Sequence, residues 1–115
     1  MFDFEKFTVY IKSEEYYQLL VTDIFSKKID KNIRDQLQRA STSILLNIAE
    51  WSWKYSKAEK RNFYTIARWS VFECVAILRI LKIEKIITEE TFAKIYNILE
   101  EIWKMLSGLI NSLIK

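Results

Sequence analysis

The sequence predicts an all-α fold, an up-down-up-down antiparallel four-helix bundle. Three observations lead there. Proline is absent and Gly108 is the only glycine, so a strand-rich fold would lack its turn residues. Four apolar stripes recur at helical spacing, separated by short polar breaks. Breaks that short make consecutive helices antiparallel neighbours. One hundred and fifteen residues, half of them hydrophobic, suit one folded domain spanning 1–115.

The first helix is expected over about 4–25. Asp3 reads as its N-cap, with Phe2 and Phe7 placed as a hydrophobic staple. Phe4, Phe7, Ile11, Leu20 and Ile24 supply its apolar face. After Ser26-Lys27-Lys28-Ile29, Asp30 caps a second helix over about 31–54, with Ile33, Leu37, Ala40, Ile44 and Ile48 as its stripe. Ser56-Lys57-Ala58-Glu59 fits the S-x-x-E capping box, in which serine accepts the Glu N–H and the carboxylate reaches back. The third helix then spans about 57–84, with Phe63, Ala67, Val71, Cys74, Leu78 and Leu81 facing inward. Thr88 caps the fourth, over about 89–114, and Ile87 with Phe92 forms a second staple. Ile95, Leu99, Ile102, Leu106, Leu109 and Leu113 form its stripe.

These stripes are wider than a four-helix core requires. Val9, Tyr10, Tyr16, Tyr17 and Leu19 on the first helix, Leu45 and Leu46 on the second, and Ile66, Trp69, Phe72 and Ile77 on the third lie outside them. A wide apolar belt points to a second buried face, hence to self-association or a protein partner.

The net charge of +3 is unevenly spread. Residues 1–26 carry two basic and five acidic groups, residues 27–85 thirteen and six, and residues 86–115 three and four. From charge alone, the basic middle reads first as a solvated surface and second as a phosphate-binding face. A single cysteine, Cys74, leaves no intrachain disulfide and fits a reducing cytoplasm. The acidic N-terminus does not resemble a signal peptide, and no uncharged run approaches the roughly 18–20 residues of a membrane span.

Arg39, Ser43, Asn47 and Glu50 form a polar stripe beside the apolar one on the second helix. Antiparallel pairing places Arg39 level with Glu73, Ser43 near Ser70, and Glu50 near Asn62 and Arg61. An inter-helix polar seam of Arg39, Ser43, Asn47, Glu50, Ser70 and Glu73 is therefore expected, with Arg39–Glu73 as its ion pair. Such a seam sets register more than it adds stability.

No catalytic or metal site is expected, and no cofactor. The chain has no histidine, the commonest general base and metal ligand. Glu50, Glu59 and Glu73 do not meet at one level. Cys74 shares the apolar face with Val71 and Leu78, where a thiol is packing.

Residues 36–59, QLQRASTSILLNIAEWSWKYSKAE, and 63–73, FYTIARWSVFE, resemble the bacterial family of 23S rRNA intervening-sequence proteins, once labelled S23 ribosomal proteins. Matching positions include Gln36-Leu37, Arg39-Ala40, Ser43-Ile44, Asn47-Ile48-Ala49-Glu50, Ser56, Glu59, Ile66-Ala67-Arg68, Ser70 and Glu73. Trp51 and Trp69 stand where the family commonly has glycine. The resemblance implies a bundle that assembles into a ring, commonly a homopentamer, without enzymatic activity. The accessory variability proteins of diversity-generating retroelements look similar. They are pentameric basic bundles that bind nucleic acid and a reverse transcriptase.

The leading expectation is a non-catalytic, homo-oligomeric nucleic-acid-binding protein that takes RNA or DNA through Arg39, Lys54, Lys57, Lys60, Arg61 and Arg68. The alternatives are a reverse-transcriptase accessory protein and a purely structural oligomer. Trp51, Trp53, Tyr55 and Trp69 are candidate interface aromatics. Spacings of two prevent Trp51, Trp53 and Tyr55 from sharing one helix face, so at least one should point away from its own bundle.

Overall fold

The computed structural model describes residues 2–51, 53 and 55–114. It is all-α, with four helices packed antiparallel. Helix α1 runs Thr8–Leu19, α2 Lys31–Glu50, α3 Lys57–Ile83 and α4 Glu89–Ile114. A 3-10 turn, Asp3–Lys6, precedes α1, and a π turn, Leu20–Ile24, continues it. Both α1 and α3 pack against α2 and α4, so α1 and α3 stand across the bundle from each other.

Local chemistry sets the helix ends. The Asp30 carboxylate accepts the N–H groups of Asn32 and Ile33 at 3.1 and 3.3 Å, satisfying donors that α2 leaves unpaired. Ser56 Oγ accepts the Glu59 N–H at 3.1 Å, and Glu59 Oε1 accepts the Ser56 N–H at 3.2 Å. Thr88 Oγ1 accepts the Thr91 N–H at the start of α4. Helix α3 ends in a Schellman motif: Lys85 N–H donates to the Lys82 carbonyl and Ile86 N–H to that of Leu81, both at 3.0 Å. The motif needs a left-handed residue, and Lys85 takes it at φ 61°.

The N-terminus departs from expectation. Asp3 does not cap α1. It begins the 3-10 turn, where Glu5 accepts the Phe2 N–H at 3.2 Å. Phe7 breaks the helix with extended backbone, φ −72° and ψ 127°. Its ring lies against Trp51, centroid to centroid 3.6 Å, and this contact accompanies the break.

The inward stripe of α1 is also rotated from the expected one. Val9, Ser13, Tyr16, Leu20 and Ile24 are buried, whereas Ile11 is exposed. The π turn closes with the Phe25 N–H bonded to the Leu20 carbonyl, five residues back. Leu20 and Ile24 both remain fully buried there. At its C-terminus α2 stops at Glu50, and Trp51 follows with φ −55° and ψ −33°. An ordinary right-handed conformation at that position needs no glycine.

The core contains the expected stripes of α2, α3 and α4 with modest exchanges. Tyr64 replaces Phe63, which is half-buried against Tyr55. Ile98 and Ile110 join α4's stripe, while Leu109 and Leu113 pack at its edge. Burying a side chain of this size contributes about 1.5–3 kcal/mol. Near the centre, Tyr16 Oη and Ser41 Oγ share a 2.7 Å hydrogen bond, and Ser41 Oγ lies 3.4 Å from Cys74 Sγ. One polar chain thus links α1, α2 and α3 inside an apolar core. No described helix is long and apolar enough to cross a membrane.

Candidate nucleic-acid interface

The predicted cations divide by position. Lys57, Lys60 and Arg61 occupy the first turns of α3. Lys57 is exposed, while Lys60 and Arg61 are half-buried. Lys60 Nζ sits 5.3 Å from the Trp51 ring centre, a cation–π contact that ties α3 to the end of α2. Lys54 lies outside the described residues. Arg39 is exposed on α2, eleven residues before Glu50, about 16 Å along the axis at 1.5 Å per residue. It is not among the cations clustered at that end. Arg68 is already engaged: its guanidinium stacks 5.2 Å from the Trp103 ring centre and donates to Ser107 Oγ at 3.2 Å.

Cations at the start of α3 oppose the helix macrodipole, whose N-terminal end is already partly positive. They do not stabilise α3 by charge. The one acidic residue of that first turn, Glu59, is held by the capping box. Lys57, Lys60 and Arg61 thus add to the partial positive charge of the α3 N–H groups, at an end of the bundle that also holds Asp3, Glu5 and Glu50.

Some members of the predicted seam come together. Ser70 Oγ donates to Ser43 Oγ at 2.8 Å across the α2–α3 interface. Asn47 Nδ2 donates to Ser43 Oγ at 3.0 Å and to the Ser43 carbonyl at 2.8 Å. Glu50 accepts from Tyr55 Oη at 3.2 Å and is not joined to Asn62 or Arg61. The expected Arg39–Glu73 ion pair does not form: both residues are exposed, and no ion pair among the described residues includes either. A surface pair gains little over two hydrated charges, so nothing drives them together.

The four candidate aromatics fall into two pairs. Trp51 is half-buried between Phe7 and Lys60, and Tyr55 packs on Phe63 with ring centres 4.9 Å apart. Trp53 and Trp69 are largely exposed, at 69% and 72%. Trp69 belongs to a larger patch. Ile66, Phe72, Ile80 and Ile83 accompany it along the outer face of α3, and Trp103 of α4 adjoins Phe72. The wide apolar belt read from the sequence had set Ile66, Trp69 and Phe72 outside α3's inner stripe, and all three are exposed, whereas Ile77 of that belt is buried in the core.

Burial raises the Cys74 thiol from 9.0 to about 11, holding it protonated and weakly nucleophilic at neutral pH. No group of three or more Cys, Asp or Glu side chains suited to a metal occurs among the described residues. An apolar pocket of about 390 Å³ opens between α1 and α4, lined by Phe7, Thr8, Val9, Met105, Gly108 and Leu109. It offers no titratable group.

Comparison with known proteins follows the fold. No curated protein matches the chain. A crystal structure from Bacteroides thetaiotaomicron VPI-5482, of a protein with unknown function from the S23 ribosomal protein family, superposes with a TM-score of 0.75. The two share 30% sequence identity over 90% of this chain and 98% of that one. The profile of the 23S rRNA-intervening sequence proteins matches residues 5–108. With nearly its whole length matched in sequence and in fold, the chain belongs to the 23S rRNA-intervening sequence protein family.

Proposed function

We propose that this protein is a non-catalytic homo-oligomer that binds nucleic acid through the basic end of each bundle. The observation that carries the reading is the placement of Lys57, Lys60 and Arg61 at the positive end of the α3 dipole. Those cations weaken the helix and gain a purpose when a polyanion lies across it. Lys57 and Arg61 are the direct phosphate contacts, and Lys60 is held in place by Trp51. Repeating the end around an oligomer raises avidity without new contacts. The ring of five implied by the family resemblance is the assembly this reading adopts.

Binding to single-stranded RNA and to duplex DNA across a salt series tests it. Affinity should fall with log–log slopes of about −0.7 and −0.9 per contact respectively. Lys57→Glu with Arg61→Glu should remove binding and leave the assembly mass unchanged. Binding indifferent to salt, or unchanged in that variant, overturns the reading.

The exposed Trp69, Phe72 and Trp103 favour one alternative, an accessory role in which the partner is a protein such as a reverse transcriptase. Capture of that polymerase by the Lys57→Glu, Arg61→Glu variant, with no nucleic-acid binding by wild type, would select it. A purely structural oligomer would show neither activity.

A further inference from the structure

Three aromatics span the turn between α2 and α3, and the fold uses them differently. Trp51 lies between Phe7 and Lys60, and Tyr55 packs on Phe63 with its hydroxyl bonded to Glu50. Trp53 is 69% exposed, and no ring or cation of the described residues stacks on it. Its backbone is nevertheless fixed. Trp53 N–H donates to the Glu50 carbonyl at 3.1 Å, and the Trp53 carbonyl accepts the Tyr55 N–H at 2.8 Å. With Trp51 and Tyr55 anchored on either side, the turn holds outward an indole that has only its two side-chain torsions left to order. Keeping a large apolar ring in water at a fixed place forgoes the stabilisation that burial would give it. Cations follow directly. Lys57 comes four residues later, within about 14 Å of chain. Arg61 lies one helical turn beyond, about 6 Å along α3 and on the same face. Neither enters an ion pair among the described residues. Three carboxylates of this end are bonded elsewhere: Glu5 to the Phe2 N–H, Glu50 to the Tyr55 hydroxyl and Glu59 to the Ser56 N–H. Asp3 is the fourth, exposed at the start of the 3-10 turn.

We infer that this end takes unpaired nucleotides, the indole of Trp53 stacking on a base while Lys57 and Arg61 hold the phosphates beside it. This rests on the proposed nucleic-acid binding and names its substrate class, single-stranded nucleic acid. Every base has a π face, so such a platform is tolerant of sequence. In a duplex those faces are covered by the neighbouring base pairs, and a side chain reaches them only by unstacking a step. Phosphates are available on either form, so Lys57 and Arg61 bind both, and Trp53 makes the difference between them. Its surroundings suit a charged ligand better than an apolar partner. Trp69, in the exposed apolar patch, lies twelve residues beyond Lys57, about 18 Å along α3. Trp53 is set apart from that patch and has cations as its neighbours in the chain.

Three probes test the inference by fluorescence anisotropy at one fixed salt concentration: a short oligothymidylate, the same backbone with abasic sugars, and a duplex. Trp53→Ala and Trp53→Leu should each weaken oligothymidylate binding by about ten-fold, and Trp53→Tyr should restore most of it, because an aromatic face rather than apolar bulk is needed. Duplex binding and the salt slope should be unchanged in all three, since the phosphate contacts are intact. Wild type should bind the abasic strand as weakly as Trp53→Ala binds oligothymidylate. That arm uses the unaltered protein, so it decides the matter even if the turn of a variant collapses. Equal wild-type affinity for the abasic strand and oligothymidylate, full affinity in Trp53→Leu, or an equal loss on duplex overturns the stacking. So does a fall in assembly mass in Trp53→Ala, which would make Trp53 a subunit contact. In each of these cases the basic end stands as the binding site provided that Lys57→Glu with Arg61→Glu removes binding. Absence of salt-dependent binding to all three probes overturns both readings.

Discussion

Two tyrosines lie fully buried in this core, and their hydroxyls differ in one respect. Tyr16 Oη is 2.7 Å from Ser41 Oγ, whereas Tyr64 Oη has no hydrogen-bond partner among the described residues. Deleting each hydroxyl should therefore have opposite consequences. Tyr16→Phe removes a buried hydrogen bond worth about 1 kcal/mol and leaves Ser41 with only the weaker sulfur contact. Tyr64→Phe removes a group whose desolvation, about 1–3 kcal/mol, is not offset by any bond, so it should be neutral or stabilising by up to about 1 kcal/mol. Ser41→Ala should cost more than Tyr16→Phe, about 2 kcal/mol, because it strands the Tyr16 hydroxyl in the apolar interior. The double variant Tyr16→Phe, Ser41→Ala should cost less than the two singles together, with a coupling of about 1 kcal/mol.

Thermal unfolding at one fixed protein concentration is the assay, since association makes the midpoint concentration-dependent. For 115 residues the unfolding entropy is about 240 cal/mol/K, so 1 kcal/mol moves the midpoint by about 4 °C. Tyr16→Phe should lower it by that amount and Ser41→Ala by about twice as much. Tyr64→Phe should leave it level or raise it. Equal losses for the two tyrosines would refute the distinction between them. Additive losses for Tyr16 and Ser41 would refute the shared bond.

Three further outcomes follow from other positions. A Cβ built on Gly108 meets nothing within 4 Å, so Gly108→Ala should raise stability by about 0.5–1 kcal/mol, read from urea unfolding with an unchanged slope. Lys85→Gly should add a similar amount by relieving the left-handed φ of 61°, while Lys85→Ala should add nothing. Burial raises the Cys74 thiol to about 11, so between pH 9 and 11 the unfolded chain releases a proton that the folded chain keeps. Stability from this group is complete below pH 9 and is lost as pH rises through that window, about 3 kcal/mol in all. Cys74→Ala should flatten the decline there, with the tyrosines still contributing above pH 10.

The helices were legible where caps and apolar spacing agreed. Asp30, Ser56 and Thr88 each accept the backbone N–H groups that their positions promised. Helix α1 was harder to read because its inward stripe includes Ser13 and Tyr16, whose polar atoms find partners only once folded. Ser13 donates to the Val9 carbonyl and Tyr16 meets Ser41. A hydrophobic count passes over Ser13, sets Tyr16 only at the margin of the stripe and selects Ile11, which lies outside. The break at Phe7 was invisible for a similar reason, since its ring packs on Trp51, forty-four residues away. Antiparallel register predicted the closeness of Ser43 and Ser70, whose short side chains keep their hydroxyls at the α2–α3 interface. It could not pair Arg39 with Glu73, because long charged side chains at a surface reach water as readily as each other.

Helix α3 carries three demands on different regions of its surface, and their separation explains its composition. Its inner stripe from Tyr64 to Leu81 fills the core. Its N-terminal turns concentrate cations where the helix would favour acids. Its outer flank exposes Trp69 and Phe72, side chains that a lone bundle would benefit from replacing with polar ones. Arg68 belongs to this flank rather than to the basic end, because Trp103 and Ser107 already hold its guanidinium in place. A contact on the flank leaves the end of the bundle uncovered. Copies joined side by side would present their basic ends on one rim, where a polyanion could bridge several of them. Under the proposed function, assembly would use the flank and nucleic-acid binding the N-terminal turns of one helix, so substitutions should remove either without the other.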